Sequence, residues 1–555
     1  MRTAFLLALL FLGAVARAEN VSVSPNLKII PKPGAPRPGE AQSTVVPPDV
    51  KIQCPAGRLL VTNDALRPPA AGLVTGRDLD KASGPDVPAT FDEPPGQKST
   101  LPRYDFVTND HDLLTLPNGD VLYLTGAASR APVDAPWFES AYRDDFGPGA
   151  RSVVLTWRSS DCGRTFHYTG EFDPAHAGDG SCALPQFHLD PISHKIIEHT
   201  PHYDMGGADG QTVQVDRATG RLYLTFSCVG YHSKGKGTFT LDPANPVNRT
   251  LLAVSENGGA TWQTLGALDR AVWRLNAVPL DAATFAFGIR DGVALGTKNS
   301  TGWHFDKEYT PDPTGAFGWP NFPFPAGATN PWILTYMFGH TLTARTPGTH
   351  DAFIVYATTA DKRFGYRLAF HDHVKNQFAD APDPIVPATG GANDFILHPA
   401  VIDNGAGPVL LYWNDVDAKT MRVTVRGRLI FGQGDYSNDF AISVDEAGQP
   451  RSFTVVKKGP PGDWYGDYQT AGGFRMPGAT VAGGKPFTLD VFYPIWIEPG
   501  GVVHFARVRT GERGDSPPLR RVFVEAKQWH RAASATPLST LPLAERHETD
   551  VRRHD

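Results

Sequence analysis

Carboxylates and imidazoles recur in this sequence just before, or at the start of, short apolar runs. Asn109-Asp110-His111-Asp112 leads into Leu113-Leu114-Thr115-Leu116. His202-Tyr203-Asp204 and Asp209 precede Thr212-Val213-Gln214-Val215, Asp394 and His398 flank Phe395-Ile396-Leu397, and Asp467-Tyr468 sits ahead of a later run. Groups of this kind suit acid–base work. Cleavage of a glycosidic bond needs two carboxyls flanking it, one giving a proton and the other acting as nucleophile or base. Histidine and tyrosine can carry protons in the same setting. The catalytic candidates are therefore Asp110, His111, His202, Asp204, Asp209, His398, Asp467 and Tyr468, with Arg290 and His340 as substrate-binding candidates from intervening stretches. His371-Asp372-His373 places two imidazoles on one strand face but brings no third ligand, so it reads as a solvated edge, and neither a metal nor another cofactor is expected.

The elements that must position these residues are strands. The 555 residues hold 56 Gly and 49 Pro beside 31 Phe and 11 Trp, a balance that favours many short strands and tight turns over long helices. Leu113–Leu116, Pro117-Asn118-Gly119-Asp120 and Val121-Leu122-Tyr123-Leu124 read as strand, turn, strand. Comparable pairs follow near 212–226, 284–296, 353–370, 409–425 and 487–508. Residues 169–203, rich in His, Pro and Gly, form a long irregular insertion of the kind that builds sites.

One turn repeats. Ser159-Ser160-Asp161-Cys162-Gly163-Arg164-Thr165-Phe166 reads S-x-D-x-G-x-T-F, and Ser255-Glu256-Asn257-Gly258-Gly259-Ala260-Thr261-Trp262 reads S-x-N-x-G-x-T-W. The Asp or Asn side chain caps the turn, Gly takes the positive-φ position, and the aromatic begins the return strand. Ser159, Asp161, Gly163, Thr165 and Phe166, with Ser255, Asn257, Gly259, Thr261 and Trp262, are accordingly structural. A decayed copy lies at 297–303.

These two copies resemble the Asp-box, or bacterial neuraminidase repeat, of the sialidase-like β-propeller superfamily. The resemblance covers about residues 104–510 and implies an all-β fold, a six-bladed β-propeller, with seven blades as the alternative should the Pro-rich N-terminal extension supply one. It also implies a glycan substrate and arginines that hold an anionic sugar, for which Arg290 and Arg367 are candidates, with Tyr468 as a nucleophile. No Arg-Ile-Pro, the sialidase motif of the first blade, precedes Asn118-Gly119. Asp463-Trp464-Tyr465-Gly466-Asp467-Tyr468 resembles the Gly-Asp-Tyr segment of secreted bacterial Asp-box proteins, which places Asp467 near the mouth of the ring.

The organisation expected is a signal peptide over 1–18, a Pro-rich extension over 19–100 with Leu59–Thr62 as a candidate ring-closing strand, a propeller over 101–510 and a polar tail over 511–555. Met1-Arg2, the apolar run from Phe5 to Leu12 and Ala16-Arg17-Ala18 carry the leader reading and a secreted or periplasmic location. The apolar run is too short to span a membrane. Four cysteines allow three pairings, and Cys162–Cys182 closes the shortest loop. A formal charge of −6 without a long basic run speaks against a nucleic-acid partner. The functional expectation is a secreted carbohydrate-active propeller, a glycosidase if an enzyme. A non-catalytic glycan- or protein-binding propeller and a polysaccharide lyase are the alternatives, and the oligomeric state is left open.

Overall fold

In the computed structural model the chain is all-β, with no helix among the described residues. The structure describes the strands between Val21 and Arg513 and most of their turns. Residues 1–20, 131–149, 173–187, 310–341, 455–470 and 514–555 fall outside the described residues, as do shorter stretches including 106–110, 198–204 and 290–291.

The main sheets are antiparallel meanders, each begun by a strand that leads into a hairpin. These first strands are Ser43–Val46, His111–Thr115, Met205–Val215, Ala277–Pro279, Leu342–Arg345, Phe395–Asp403 and Gly472–Thr480. Each packs beside the next, and Gly472–Thr480 returns to Ser43–Val46. Gly472 permits that last approach, because a Cβ there would stand 2.6 Å from the Val45 amide nitrogen. The first and last described strands meet as well. Val21–Val23 pairs with Val508–Arg513, and Leu27–Ile29 pairs with Val502–Phe505.

Most sheets are buried on both faces, which is why their central strands read as unbroken apolar runs. Within Val121–Arg130, Val121 and Tyr123 join Leu60, Trp157 and Phe166 on one side, while Leu122 and Leu124 join Val213, Leu224 and Phe226 on the other. Trp157, Tyr123 and Phe166 have at most 1% of their surface exposed. Phe91 stacks on Phe166 with centroids 4.6 Å apart. The strand Thr90–Phe91 lies parallel to Thr165–Phe172, so the N-terminal segment continues as an added edge of the 111–172 sheet.

The segment before residue 100 contains a four-stranded sheet: Ser43–Val46, Arg58–Thr62, Val74–Asp78 and Val87–Pro88. Its prolines lie in turns or at the edge, Pro47 and Pro48 after the first strand and Pro88 in the last, where a missing N–H costs no ladder bond. The expected disulfide is corrected: Cys162 bonds to Cys54, 108 residues away. Loop length was a poor guide because the turn holding Cys162 abuts the 47–57 loop of the neighbouring sheet, and packing, not chain proximity, brings the sulfurs together.

Both copies of the repeated turn close by local hydrogen bonds. The Ser159 hydroxyl donates to Asp161 Oδ1 (2.7 Å) and accepts from the Gly163 amide (2.8 Å), and Asp161 Oδ1 accepts from the amides of Arg164 and Thr165. Ser255, Asn257, Gly259 and Thr261 repeat the pattern, with Gly259 N–H to Ser255 Oγ at 2.9 Å and Thr261 N–H to Asn257 Oδ1 at 2.9 Å. At 299–302 a two-residue connection remains, with Gly302 at φ 129°.

Candidate functional site

Each first strand has an entry end, where the chain arrives, and a turn end, where the hairpin closes. The entry end of the 395–454 sheet collects ionisable groups from several of its strands and from the stretch just before it. Asp415 lies on Val409–Asp417 opposite Ile396, two residues after Asp394, and Arg426 follows one diagonal step along Arg422–Gly432. Asp415 Oδ2 accepts the Ala388 amide at 3.0 Å and stands 3.8 Å from Arg426 Nε. Arg428 donates to Asp439 at 2.6 Å further along the same face.

Asp415 has a side chain only 3% exposed. Burial pushes its carboxyl up to about 6, and the nearby Asp394 and Asp439 charges add to the rise; the Ala388 amide and Arg426 oppose it. Asp394 is itself buried. The neighbouring Asn414, on the other face of the strand, is fully buried, and neither of its amide atoms finds a hydrogen-bond partner among the described residues. A carboxyl that holds its proton to about pH 6 beside a second acid can donate that proton and take it back.

His398 lies on the first strand of this sheet, buried, within a bulge between Leu397 and Ala400 and at φ 49°. Positive φ is rare for a residue with a Cβ and marks a locally strained backbone. His111 begins its strand 1% exposed, its Nε2 bonded to Thr62 Oγ1 and its ring 6.0 Å from Tyr123. It thus bridges two sheets. Asp112 is a strut: its Oδ2 accepts the Val213 amide of the next first strand at 2.8 Å. Asp209 is in a strand, at a bulge between Asp209 and Thr212. Arg367 lies on Gly365–Asp372, the third strand of its sheet, away from the first strands. Asp110, His202, Asp204, Arg290, His340, Asp467, Tyr468 and Cys182 lie outside the described residues.

Asp415 and Arg426 were missed because Asn414-Asp415-Val416-Asp417 reads as the polar end of a strand. The available signal was the polar pair inside an otherwise apolar run from Val409 to Val416. His371, expected at a solvated edge, is 2% exposed, since Gln377–Asp380 covers it as a fourth strand. Among the described residues no group of three or more His, Cys, Asp or Glu is arranged to hold a metal ion, and no helix is long and apolar enough to cross a membrane.

No family model matches the chain, and no curated protein matches it. Among solved structures it is similar to a Dyadobacter fermentans protein of unknown function (12% identity, TM-score 0.32, covering 89% of this chain and 100% of that one). A mutant α-L-arabinofuranosidase from Fusarium graminearum in complex with an iminosugar inhibitor gives 12% identity and a TM-score of 0.34, over 88% of this chain and 97% of that one. The intramolecular trans-sialidase from Ruminococcus gnavus gives 10% and 0.33, over 72% and 93%. Likenesses at this level carry no residue's role to this chain.

Proposed function

We propose that the chain is a secreted seven-bladed β-propeller that hydrolyses a glycosidic bond, with Asp415 as the proton donor and Asp394 as its carboxylate partner. The count of seven takes the 43–88 sheet as the first blade and the 472–513 sheet as the last, which prefers the alternative of seven over six. The two Asp-box turns belong to the second and third blades of that ring. Asp110, Asp204, Asp209 and Asp467 are further acid–base candidates in this reading, and residues 1–18 direct export.

The observation that carries the catalytic reading is the burial of the Asp415 carboxyl near the buried Asp394, which pushes it up to about 6. An acid that must protonate a leaving oxygen near neutral pH needs such a setting. Reducing-end release from a panel of polysaccharides and aryl glycosides, compared between the native chain and Asp415→Asn, is the test. Release that is lost in Asp415→Asn supports the reading. Saturable glycan binding without release by the native chain supports the non-catalytic alternative, and unsaturated uronate products identify a lyase.

A further inference from the structure

At the opposite, turn end of the sheets, three arginines surround one hairpin connection. Residues 404–408 join Phe395–Asp403 to Val409–Asp417. Arg217, from the 216–221 turn of the 205–268 sheet, lies over Gly405: a Cβ there would stand 2.3 Å from Arg217 Cδ and 2.6 Å from its Nε. Gly405 also has φ 81°, so the position excludes a side chain twice over. Arg345, the last residue of Leu342–Arg345, places Nε 3.8 Å from Asp403 Oδ2. Arg475 reaches the same connection beside Gly407.

The three guanidinium groups differ in how they are matched. Arg475 is neutralised by Asp490, with two bonds of 2.8 Å. Arg217 and Arg345 share one carboxylate, Asp403, whose Oδ1 already accepts the Gly405 amide at 2.7 Å. Arg345 is beyond hydrogen-bond distance of it. Arg217 makes no hydrogen bond and no ion pair within 4 Å among the described residues. Two guanidinium forks therefore converge with one excess positive charge and unused donors.

Burial is the leading influence that lowers the basicity of Arg217, although its side chain is exposed by area. Arg217 is thus surrounded by protein while part of its surface reaches solvent. The 205–268 and 395–454 sheets are separated in the chain by the 277–309 and 342–380 sheets, so the contact of Arg217 with Gly405 crosses the space the first strands enclose.

We propose that Arg217 and Arg345 form a binding site for one oxyanion (a carboxylate, sulfate or phosphate group) at the turn end of this opening. The planar guanidinium fork matches the paired oxygens of all three groups, and a site with one surplus charge favours an anion over a neutral ligand. The site is remote from Asp415 and independent of the hydrolytic reading. Only its placement across the opening uses the ring arrangement.

The test is isothermal titration of the full chain with sodium sulfate, inorganic phosphate and glucuronate at matched ionic strength, with chloride as the reference. Saturable binding of at least one is expected, weakened roughly tenfold or more by Arg217→Gln and by Arg345→Gln. Glucuronate against the inorganic anions separates a sugar carboxylate from a tetrahedral ligand. Asp403→Asn removes the competing carboxylate and tightens binding, a gain that a misfolded variant cannot imitate. Absence of saturable binding for all three anions overturns the proposal. So does binding that both arginine variants leave unchanged, or weakened binding in Asp403→Asn.

Discussion

Two carboxyls in this molecule, both partly or wholly withdrawn from water, are driven in opposite directions. Asp161 sits in the repeated turn. Burial pushes it upward, but hydrogen bonds from Thr165, Ser159 and Arg164 outweigh burial and hold it below the usual carboxylate range. Asp415 sits at the entry end of its sheet. There burial dominates, one amide and a distant guanidinium are insufficient, and the group is pushed up to about 6. The difference lies in donors. A turn supplies amides to its own side chain within four residues, whereas the entry end depends on whatever distant segments bring. The turn end of the 111–172 sheet is thus saturated with bonds that stabilise the charged form, and the entry end of the 395–454 sheet holds an acid poised to keep a proton.

Asp415→Asn carries the largest expected effect. Hydrolysis is expected to fall by about 10²–10⁴-fold, and in the native chain the rate should decline as pH rises above about 6, where the donor loses its proton. A native pH–rate profile with no limb near 6 would separate Asp415 from the reaction.

Loss of the Cys54–Cys162 bond is the largest change expected at the turn end. It closes a loop of 108 residues, and chain entropy assigns such a loop ~5 kcal/mol of stability. Denaturant unfolding of Cys54→Ala/Cys162→Ala measures it. A midpoint unchanged from the native chain would show that packing alone holds the first two sheets together.

Asp415 also makes stability depend on pH with a definite sign. Its folded value of about 6 lies above its ordinary 3.8, so its contribution is fully present below about pH 4 and is lost as pH rises through about 6, up to ~3 kcal/mol. Unfolding at pH 4, 5, 6 and 7 should show this drop, and Asp415→Asn should remove it. Asp161, held low, works the other way and loses its contribution as pH falls. The smallest effects belong to the turn copies: Asp161→Ala should cost about 2 kcal/mol and Asn257→Ala about 1 kcal/mol, because the first carries charge-assisted bonds and the second neutral ones. Equal losses would erase the distinction between the two copies.

The strands and the stapled turns are legible in the residues alone. Ser159 to Phe166 could be understood from eight residues because the bonds that close the turn, through the Ser159 hydroxyl and the Asp161 carboxylate, span at most four. Runs such as Val121–Leu124 announced two buried faces by lacking alternation. Which of the dispersed polar residues meet depends on how the sheets pack. His111 was a plausible acid–base group in sequence, yet Thr62 and Tyr123 enclose it. Asp112 looked equivalent and became a strut to Val213. Asp415 acquired its character from Ala388, Asp394 and Arg426, and Cys162 its partner from position 54. The physical reason is one of range. Backbone hydrogen bonding and side-chain alternation are fixed by near neighbours, whereas desolvation and charge pairing depend on the sum of everything packed around a group, most of it far away in the chain.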